Sequence, residues 1–414
     1  MSKSILLIHR RSETLAPGLR KGLRNADLVG QLSVVTEPGH VERHDPGVDV
    51  RLVADAGDPD RVRSAAMDIL RVRPIDHVLA PFEMTMVAAG YLRSYFGLPG
   101  TGFDTSIAFT NKYVMKRILA AAGVPVARCD IAYATAQLPE VAAGVGYPVV
   151  VKPVLGWGSR EVHVCAGEAD LDREYPPSAE LNVPVIVEEQ LDVRREYHVD
   201  GIVHDGEVVF VSPSAYFTPM LRSWDNLGSY CLPAEDPDRA ELETLHRDAI
   251  RALGLRAGIT HLEAFRTPDG LRVGEVASRP SGGGVPEAIG LQHGVDVCDA
   301  FLKTSLGLPP DVRPLTRPGI VAHYYLPLRP GRIARITPAE ELRAVPSVLG
   351  VDLHSAVGDE VPDQLTLTDA AGVVYFGVDD RSEIPLRMKE IVDQYELETA
   401  CTARFAPDFS DWGD

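Results

Sequence analysis

The sequence predicts a mixed α/β and α+β protein with a parallel sheet at its N-terminus, and three observations predict it. Residues 1–105 alternate apolar strands with stretches of helical spacing, the pattern of β-α-β units. Two antiparallel hairpin signals follow, at His204-Asp205-Gly206 and at Pro268-Asp269-Gly270. The 414 residues are 45% hydrophobic and 24% charged, an ordinary composition for a soluble chain of about two to four domains.

In chain order, strands are expected at residues 4–8, 32–35, 50–53 and 77–80, with a helix at 58–71 between the last two. A helix at 83–96 is closed by Gly97-Leu98-Pro99-Gly100. No G-x-G-x-x-G accompanies these units, so a dinucleotide fingerprint is absent. Residues 110–122 read as a helix capped by Asn111 or Thr110 and stopped by Gly123. Its apolar face is Tyr113, Met115, Ile118 and Leu119. A strand at 147–153 carries Lys152 near its end, and a glycine-bearing loop at 155–160 leads to a strand at 161–165. Further strands fit 183–189, 195–203 and 207–211. The polar and aromatic stretch 212–236 has no clear period and reads as a functional loop. A helix at 240–253 leads into the second hairpin, 285–306 reads as helical, and the proline-rich 309–318 marks a boundary. Short strands at 320–326, 365–367 and 373–376 and a helix at 384–395 complete the tail.

Net charge is −18, from 59 acidic and 41 basic residues, a field that argues against nucleic acid or an anionic membrane surface as a partner. No stretch approaches ~18 consecutive apolar residues, so no membrane span is expected. The N-terminal apolar run is too short for a signal peptide. Cys129, Cys165, Cys231, Cys298 and Cys401 form no C-x-x-C and read as the reduced thiols of a cytoplasmic protein.

The chemistry concentrates around residues 258–284. With 268–270 as the loop, counting outward sets Thr267 opposite Leu271, Phe265 opposite Val273, and Glu263 opposite Glu275. Two carboxylates facing each other cost stability unless a cation lies between them. Hard cations such as Mg²⁺ bind one or two carboxylates plus substrate phosphates. Arg279 supplies a fork suited to phosphate or carboxylate. Ser281-Gly282-Gly283-Gly284 leaves backbone N–H groups uncovered, as an anion-binding turn requires. Lys112 and Lys152 can each offer a point charge to a phosphate chain, and the loop holding Gly158 and Ser159 can fold over phosphates. Glu188, Glu189 and Leu191 end a strand whose backbone could read an adenine edge, and Glu196 could bind ribose hydroxyls. Each feature alone is equally what a solvated surface shows; order and spacing make the set specific. Tyr216, Phe217, Arg222 and Trp224 could shape a substrate pocket or simply pack an ordered loop. His261 falls on the face of Glu263, either as a base for an attacking amine or as a structural histidine.

The segments Asn111-Lys112-Tyr-Val-Met-Lys116, Tyr147-Pro-Val-Val-Val-Lys152, Glu188-Glu-Gln-Leu191, Glu196-Tyr-His-Val-Asp200 and the pair Glu263 with Glu275-x-x-x-Arg279 carry a resemblance. Over roughly residues 1–310 the chain resembles the ATP-grasp superfamily. The resemblance implies an ATP-grasp fold with two lobes enclosing ATP. It implies an N-terminal parallel-sheet domain at 1–108, an ATP-grasp domain at 109–310 with its lid lobe at about 125–195, and a C-terminal lobe at 311–414. It further implies phosphate contacts from Lys112 and Lys152, adenine contacts from Glu188, Glu189 and Leu191, ribose on Glu196, and Mg²⁺ or Mn²⁺ on Glu263 and Glu275. In one departure, Ala277 stands where many members carry Asn.

The Arg-Pro-Ser-Gly-Gly-Gly run is most similar to that of L-amino-acid (dipeptide) ligases. That likeness implies an amide made from an amino acid and a second amino acid or small amine through an acyl phosphate, with release of ADP and phosphate. Arg279 and Lys152 would be catalytic, and Arg279, Ser281, Gly282, Gly283, Trp224 and His261 would meet the substrates. Two alternatives stay open: a purine-pathway-like ligase or carboxylase using a small carboxylate, and a catalytically silent nucleotide-binding protein. For a phosphoribosyl substrate, 212–236 offers only Arg222. A homodimer is also open.

Overall fold

The computed structural model describes residues 2–10, 15–38, 48–156, 161–220, 227–365 and 369–400. At the N-terminus a four-stranded sheet runs in the order Asp49–Leu52, Val29–Thr36, Lys3–His9, His77–Leu79, with every pair parallel. Leu6 and Ile8 pack on one face against Val62, Ile69 and Leu92; Ile5 and Leu7 pack on the other against Leu19 and Phe301. Coverage of both faces is why this strand reads as an unbroken apolar run.

The central sheet has eight strands, in the order Gly270–Ala277, Gly258–Thr267, Arg195–His204, Glu207–Tyr216, Gly228–Cys231, Ile320–Leu326, Gly372–Val378, Val348–Leu353. It therefore continues from the carboxylate-bearing hairpin into the tail of the chain. Tyr197, Val199, Leu262, Val276, Tyr324 and Phe376 share one core with the helices Lys112–Ala121, Arg239–Leu253 and Ile384–Gln394. The alternate residues Glu196, His198, Asp200, His261 and Glu263 face the other way. A third, antiparallel sheet runs Cys129–Ala132, Val185–Glu189, Val149–Pro153, His163–Cys165. No helix among the described residues is long and apolar enough to cross a membrane.

Three expectations are corrected. The second hairpin turns through two residues, since Thr267 pairs with Gly270, Arg266 with Leu271 and Phe265 with Arg272. The extra residue is Gly274, where a bulge restores the register so that Glu263 still faces Glu275. A Cβ there would come within 2.6 Å of the Phe265 ring, so glycine is what the bulge admits. The stretch 212–236 is not one loop: the strand Glu207–Tyr216 runs through Pro213, and Gly228–Cys231 pairs with both Glu207–Tyr216 and Ile320–Leu326. The segment 285–306 is two helices, Val285–His293 and Val297–Ser305, broken at left-handed Gly294 and restarted by the Asp296 cap. Of the strand expected at 365–367, residues 366 and 367 lie outside the described residues.

Candidate active site

The Asn111 side chain caps the helix Lys112–Ala121 by accepting from the amides of Tyr113 and Val114, both at 3.1 Å. The Lys112 amide donates to Val154 O at 2.9 Å, which ties the helix start to the end of the strand Val149–Pro153. Lys112 Nζ then lies 2.8 Å from Gly156 O and 3.0 Å from Glu275 Oε1.

A second basic cluster lies beside it. Lys152 Nζ is 3.2 Å from Glu188 Oε1, and Lys116 Nζ is 3.2 Å from Glu188 Oε2. Burial pushes the Glu188 carboxyl up, but Lys116 and Lys152 outweigh it and hold the group below its ordinary value. Burial likewise pulls the Lys116 ammonium down. Glu188→Gln would leave two buried ammonium groups without their shared counter-ion, and a loss of about 3–5 kcal/mol is expected on breaking such a cluster. Because the folded carboxyl titrates below its unfolded value, its stabilisation is present above pH 4.5 and disappears as pH falls through the folded value. Melting temperatures across an acid series should therefore fall for the parent protein and change less for Glu188→Gln, which starts lower.

Glu263 and Glu275 sit opposite each other on adjacent strands. Burial raises the Glu275 carboxyl, while Lys112 and Lys152 bring it below its ordinary value. Among the described residues no donor or cation pairs with Glu263. A carboxylate pair with one member open is a donor set that fits a hard divalent cation. Beside it, Glu196 accepts from the Met220 amide at 2.8 Å. Burial first, and the charge of Glu263 second, push the Glu196 carboxyl up to about 8.

At the end of the strand Val185–Glu189 the Glu189 carboxylate accepts from the Arg128 amide and guanidinium, both at 2.8 Å. The amide of Leu191 has no acceptor among the described residues. His261 is pinned by Asp200, whose Oδ1 lies 2.9 Å from its Nδ1; His198 Nδ1 lies 2.6 Å from Oδ2 of the same aspartate. Burial opposes the charge on His261, but Asp200 more than offsets it and raises the imidazole.

Arg279 donates through Nε to Glu83 Oε2 at 2.8 Å and through Nη1 to Pro280 O at 3.0 Å. Ser281 is buried, and Gly283 and Gly284 follow at φ of 66° and 85°. A Cβ at Gly283 would collide with the Tyr325 hydroxyl. No described residue accepts from the amides of Gly282, Gly283 or Gly284.

Lys112, Lys152, Glu188, Glu196, Glu263, Glu275, His261, Arg279 and the glycine turn are thus gathered in one neighbourhood. Gly158, Ser159, Arg222 and Trp224 lie outside the described residues. The residues not foreseen are Lys116 as a counter-ion, the Asp200–His198 support of His261, and Glu83. Glu83 had one readable signal: it opens a helix just beyond the carboxyl end of a parallel strand, where α/β sheets put ligands.

Lys112 at the start of a helix, Lys152 on the smaller antiparallel sheet, the opposed carboxylates on the central sheet and Arg279 beside an open-amide turn make the layout of an ATP-grasp enzyme, a ligase that forms C–N bonds. The ATP-grasp domain model matches residues 117–289, and the model for the L-amino acid ligase C-terminal domain 2 matches 323–400. The L-arginine-specific L-amino acid ligase of Bacillus subtilis is 31% identical over 374 residues, 88% of this chain and 91% of that protein. Dapdiamide A synthase of Enterobacter agglomerans is 24% identical over 309 residues, 70% of this chain and 72% of that protein. The crystal structure of L-amino acid ligase from Bacillus licheniformis superposes with a TM-score of 0.76 at 18% identity, covering 96% and 99% of the two chains. This chain belongs to the L-amino acid ligase family of the ATP-grasp superfamily. Enzymes of the superfamily use ATP and, generally, Mg²⁺.

Proposed function

We propose that the protein activates the carboxylate of an amino acid as an acyl phosphate and joins it to the amine of a second amino acid or small amine, releasing ADP and phosphate. The observation that carries this reading is Arg279 beside the open amides of Gly282–284, next to the carboxylate pair. The relatives reported above are, by name, an L-amino acid ligase specific for L-arginine and a dapdiamide A synthase, which supports an amino acid substrate here.

In this reading Lys112 and Lys152 neutralise the phosphate chain, with Gly158 and Ser159 closing over it. The Leu191 amide, with Glu188 and Glu189 beside it, meets the adenine, and Glu196 meets the ribose. Glu263 and Glu275 would hold the Mg²⁺, which when bound neutralises developing charge on transferred phosphate. A carboxylate oxygen of the first amino acid attacks the γ-phosphorus, and the bond to ADP breaks. The amine of the second substrate then attacks the acyl carbonyl, an N–H proton is lost, and phosphate leaves. Arg279 and the amides of Gly282–284 hold the acyl phosphate and the oxyanion of the tetrahedral intermediate. Glu83, whose buried Oε1 has no partner among the described residues, would take a substrate ammonium. Ser281, Trp224 and His261 complete the substrate surround.

The test is ADP release from Mg-ATP against a matrix of amino acids, singly and in pairs, with mass spectrometry of the products. ADP with particular pairs, and a product lighter than their sum by one water, is the expected result. Turnover only with bicarbonate or formate would replace this reading with the small-carboxylate one. Tight ATP binding without turnover would replace it with a silent nucleotide-binding protein.

A further inference from the structure

The face of the central sheet that carries the opposed glutamates also holds a second set of donor atoms, two of them imidazole nitrogens. His198 and Asp200 are alternate residues of one strand, and His261 pairs with Asp200 across the ladder to the neighbouring strand. Among the described residues, one ring nitrogen from each histidine and a carboxylate oxygen of Asp200 all lie within 4.8 Å of one another. The ring centroids are 5.5 Å apart, and Asp200 meets His198 Nδ1 at 2.6 Å and His261 Nδ1 at 2.9 Å. His198 and Asp200 are buried, and the His261 side chain is 12% exposed. All three stand on paired strands, so the backbone sets their spacing.

The outer nitrogen of His198 is held as well. Its Nε2 lies 2.7 Å from Ser229 Oγ, which lies 3.5 Å from His323 Nδ1. Burial pushes the His323 imidazole down to about 3, so the ring is neutral and its Nδ1 can accept the Ser229 proton. Ser229 Oγ then accepts from His198 Nε2, and the Nδ1 lone pair of His198 is left facing the Asp200 carboxylate. A lone pair and a carboxylate oxygen at 2.6 Å need a cation between them, either a shared proton or a metal ion. Hydrogen bonds to the outer ring nitrogen are also what orient ligating histidines.

We propose that His198, Asp200 and His261 form a site for a transition-metal ion of the zinc type, separate from the Glu263–Glu275 pair. Two imidazoles and one carboxylate suit Zn²⁺ or Co²⁺, whereas Mg²⁺ takes oxygen donors. Bonds of about 2.0–2.1 Å set tetrahedral donors about 3.3 Å apart, so Asp200 withdraws by about half an ångström on binding. The ion replaces the ring protons shared with Asp200, which pass to solvent. Three protein donors leave a fourth position for water. Such an ion fixes the His261 ring and places positive charge two residues from Glu263. Its consequence rests on the ligation reading: it withdraws His261 from the substrates and repels the Mg²⁺ that Glu263 would hold.

The experiment titrates Co²⁺ into the full chain, stripped with a chelator and free of nucleotide, in a large excess of Mg²⁺. Visible ligand-field absorption is read, and saturation at one Co²⁺ per chain is expected, with Zn²⁺ displacing it. Ser229→Ala should weaken binding by about 10–100-fold, and His198→Gln should remove the saturable signal. Glu275→Gln, which breaks the carboxylate pair, should keep it. Ser229→Ala and His261→Gln give the reading if His198→Gln melts early. Zn²⁺ should suppress dipeptide formation at a lower concentration in the parent than in Ser229→Ala, and equal suppression would overturn the inhibitory consequence. No saturation in the parent, unchanged binding in a well-folded His198→Gln, or loss of the signal in Glu275→Gln would overturn the site and leave the ligase standing. Absence of ligation with every pair of amino acids, with the Co²⁺ signal intact, would overturn the ligation reading and leave the site standing.

Discussion

Glu275→Gln is expected to lower ADP formation by about 10²–10³-fold and to lower the melting temperature as well. Glu263→Gln is expected to match the first loss without the second. The difference follows from what each carboxylate touches. Glu275 is bonded to Lys112 at 3.0 Å and lies in the field of Lys152, so its charge stabilises the protein before any nucleotide arrives. Glu263 faces it across the ladder with no partner among the described residues and with Glu196 on its other side. Removing the Glu263 charge relieves repulsion and should cost the free protein nothing, or stabilise it by about 1 kcal/mol. Adding Mg-ATP should separate both variants from the parent, because both lose the ligand-induced rise in melting temperature. The measurement is a pair of thermal melts, with and without Mg-ATP, beside an ADP assay. Unchanged ADP release in Glu275→Gln would remove the metal assignment.

The opposed carboxylates were readable because type and spacing survive a local error. Pro268-Asp269-Gly270 signals a hairpin, but the turn uses two residues where three were counted, and the bulge at Gly274 corrects the count before Glu263 is reached. Nothing in the letters marks Gly274 as a bulge rather than an ordinary strand glycine. The N-terminal sheet was legible for a different reason: its inner strand Lys3–His9 is buried on both faces, and helix and turn signals bound it. Gly331–Ile336 has a single buried residue, and Val348–Leu353 likewise has one, so neither strand presents an alternation to follow. The second half of the strand Glu207–Tyr216 hides because its buried positions after Phe210 are Ser212, Pro213, Ser214 and Ala215, and a proline argues against an interior strand.

Within the site, each lysine and glutamate was legible as a residue type, but its partner was not. The Arg279–Glu83 bond joins residues 196 apart, and the His261–Asp200 bond residues 61 apart. Such pairs are made by the topology of the sheets, not by local spacing. The role of Glu188 shows the same limit. The strand end reads as a backbone edge open to a ligand, and no local spacing tells that the Glu188 carboxylate is held between Lys116 and Lys152.

Arg279→Lys is the second large effect, and its signature should be a change in coupling and not only in rate. In the free protein the guanidinium already spends Nε on Glu83 and Nη1 on Pro280 O, which fixes the plane and leaves Nη2 for a substrate oxygen. A lysine keeps the charge but not the fork. Its ammonium must choose between the buried Glu83 carboxylate and the acyl phosphate. Burial already pushes the Glu83 carboxyl up against the pull of Arg279, so a partner that wanders leaves it protonated or unpaired. The expected outcome is a loss of about 10²-fold in dipeptide formation with a smaller loss in ADP formation. The acyl phosphate then forms and hydrolyses before the amine attacks. ADP and dipeptide counted in the same reaction give the ratio, which should be near one for the parent and well below one for the variant. Adding Glu83→Gln to Arg279→Lys should cost less than the two single losses together, because the pair acts as a unit. A wild-type ratio of dipeptide to ADP in Arg279→Lys would remove Arg279 from the acyl-transfer step and leave it as a structural partner of Glu83.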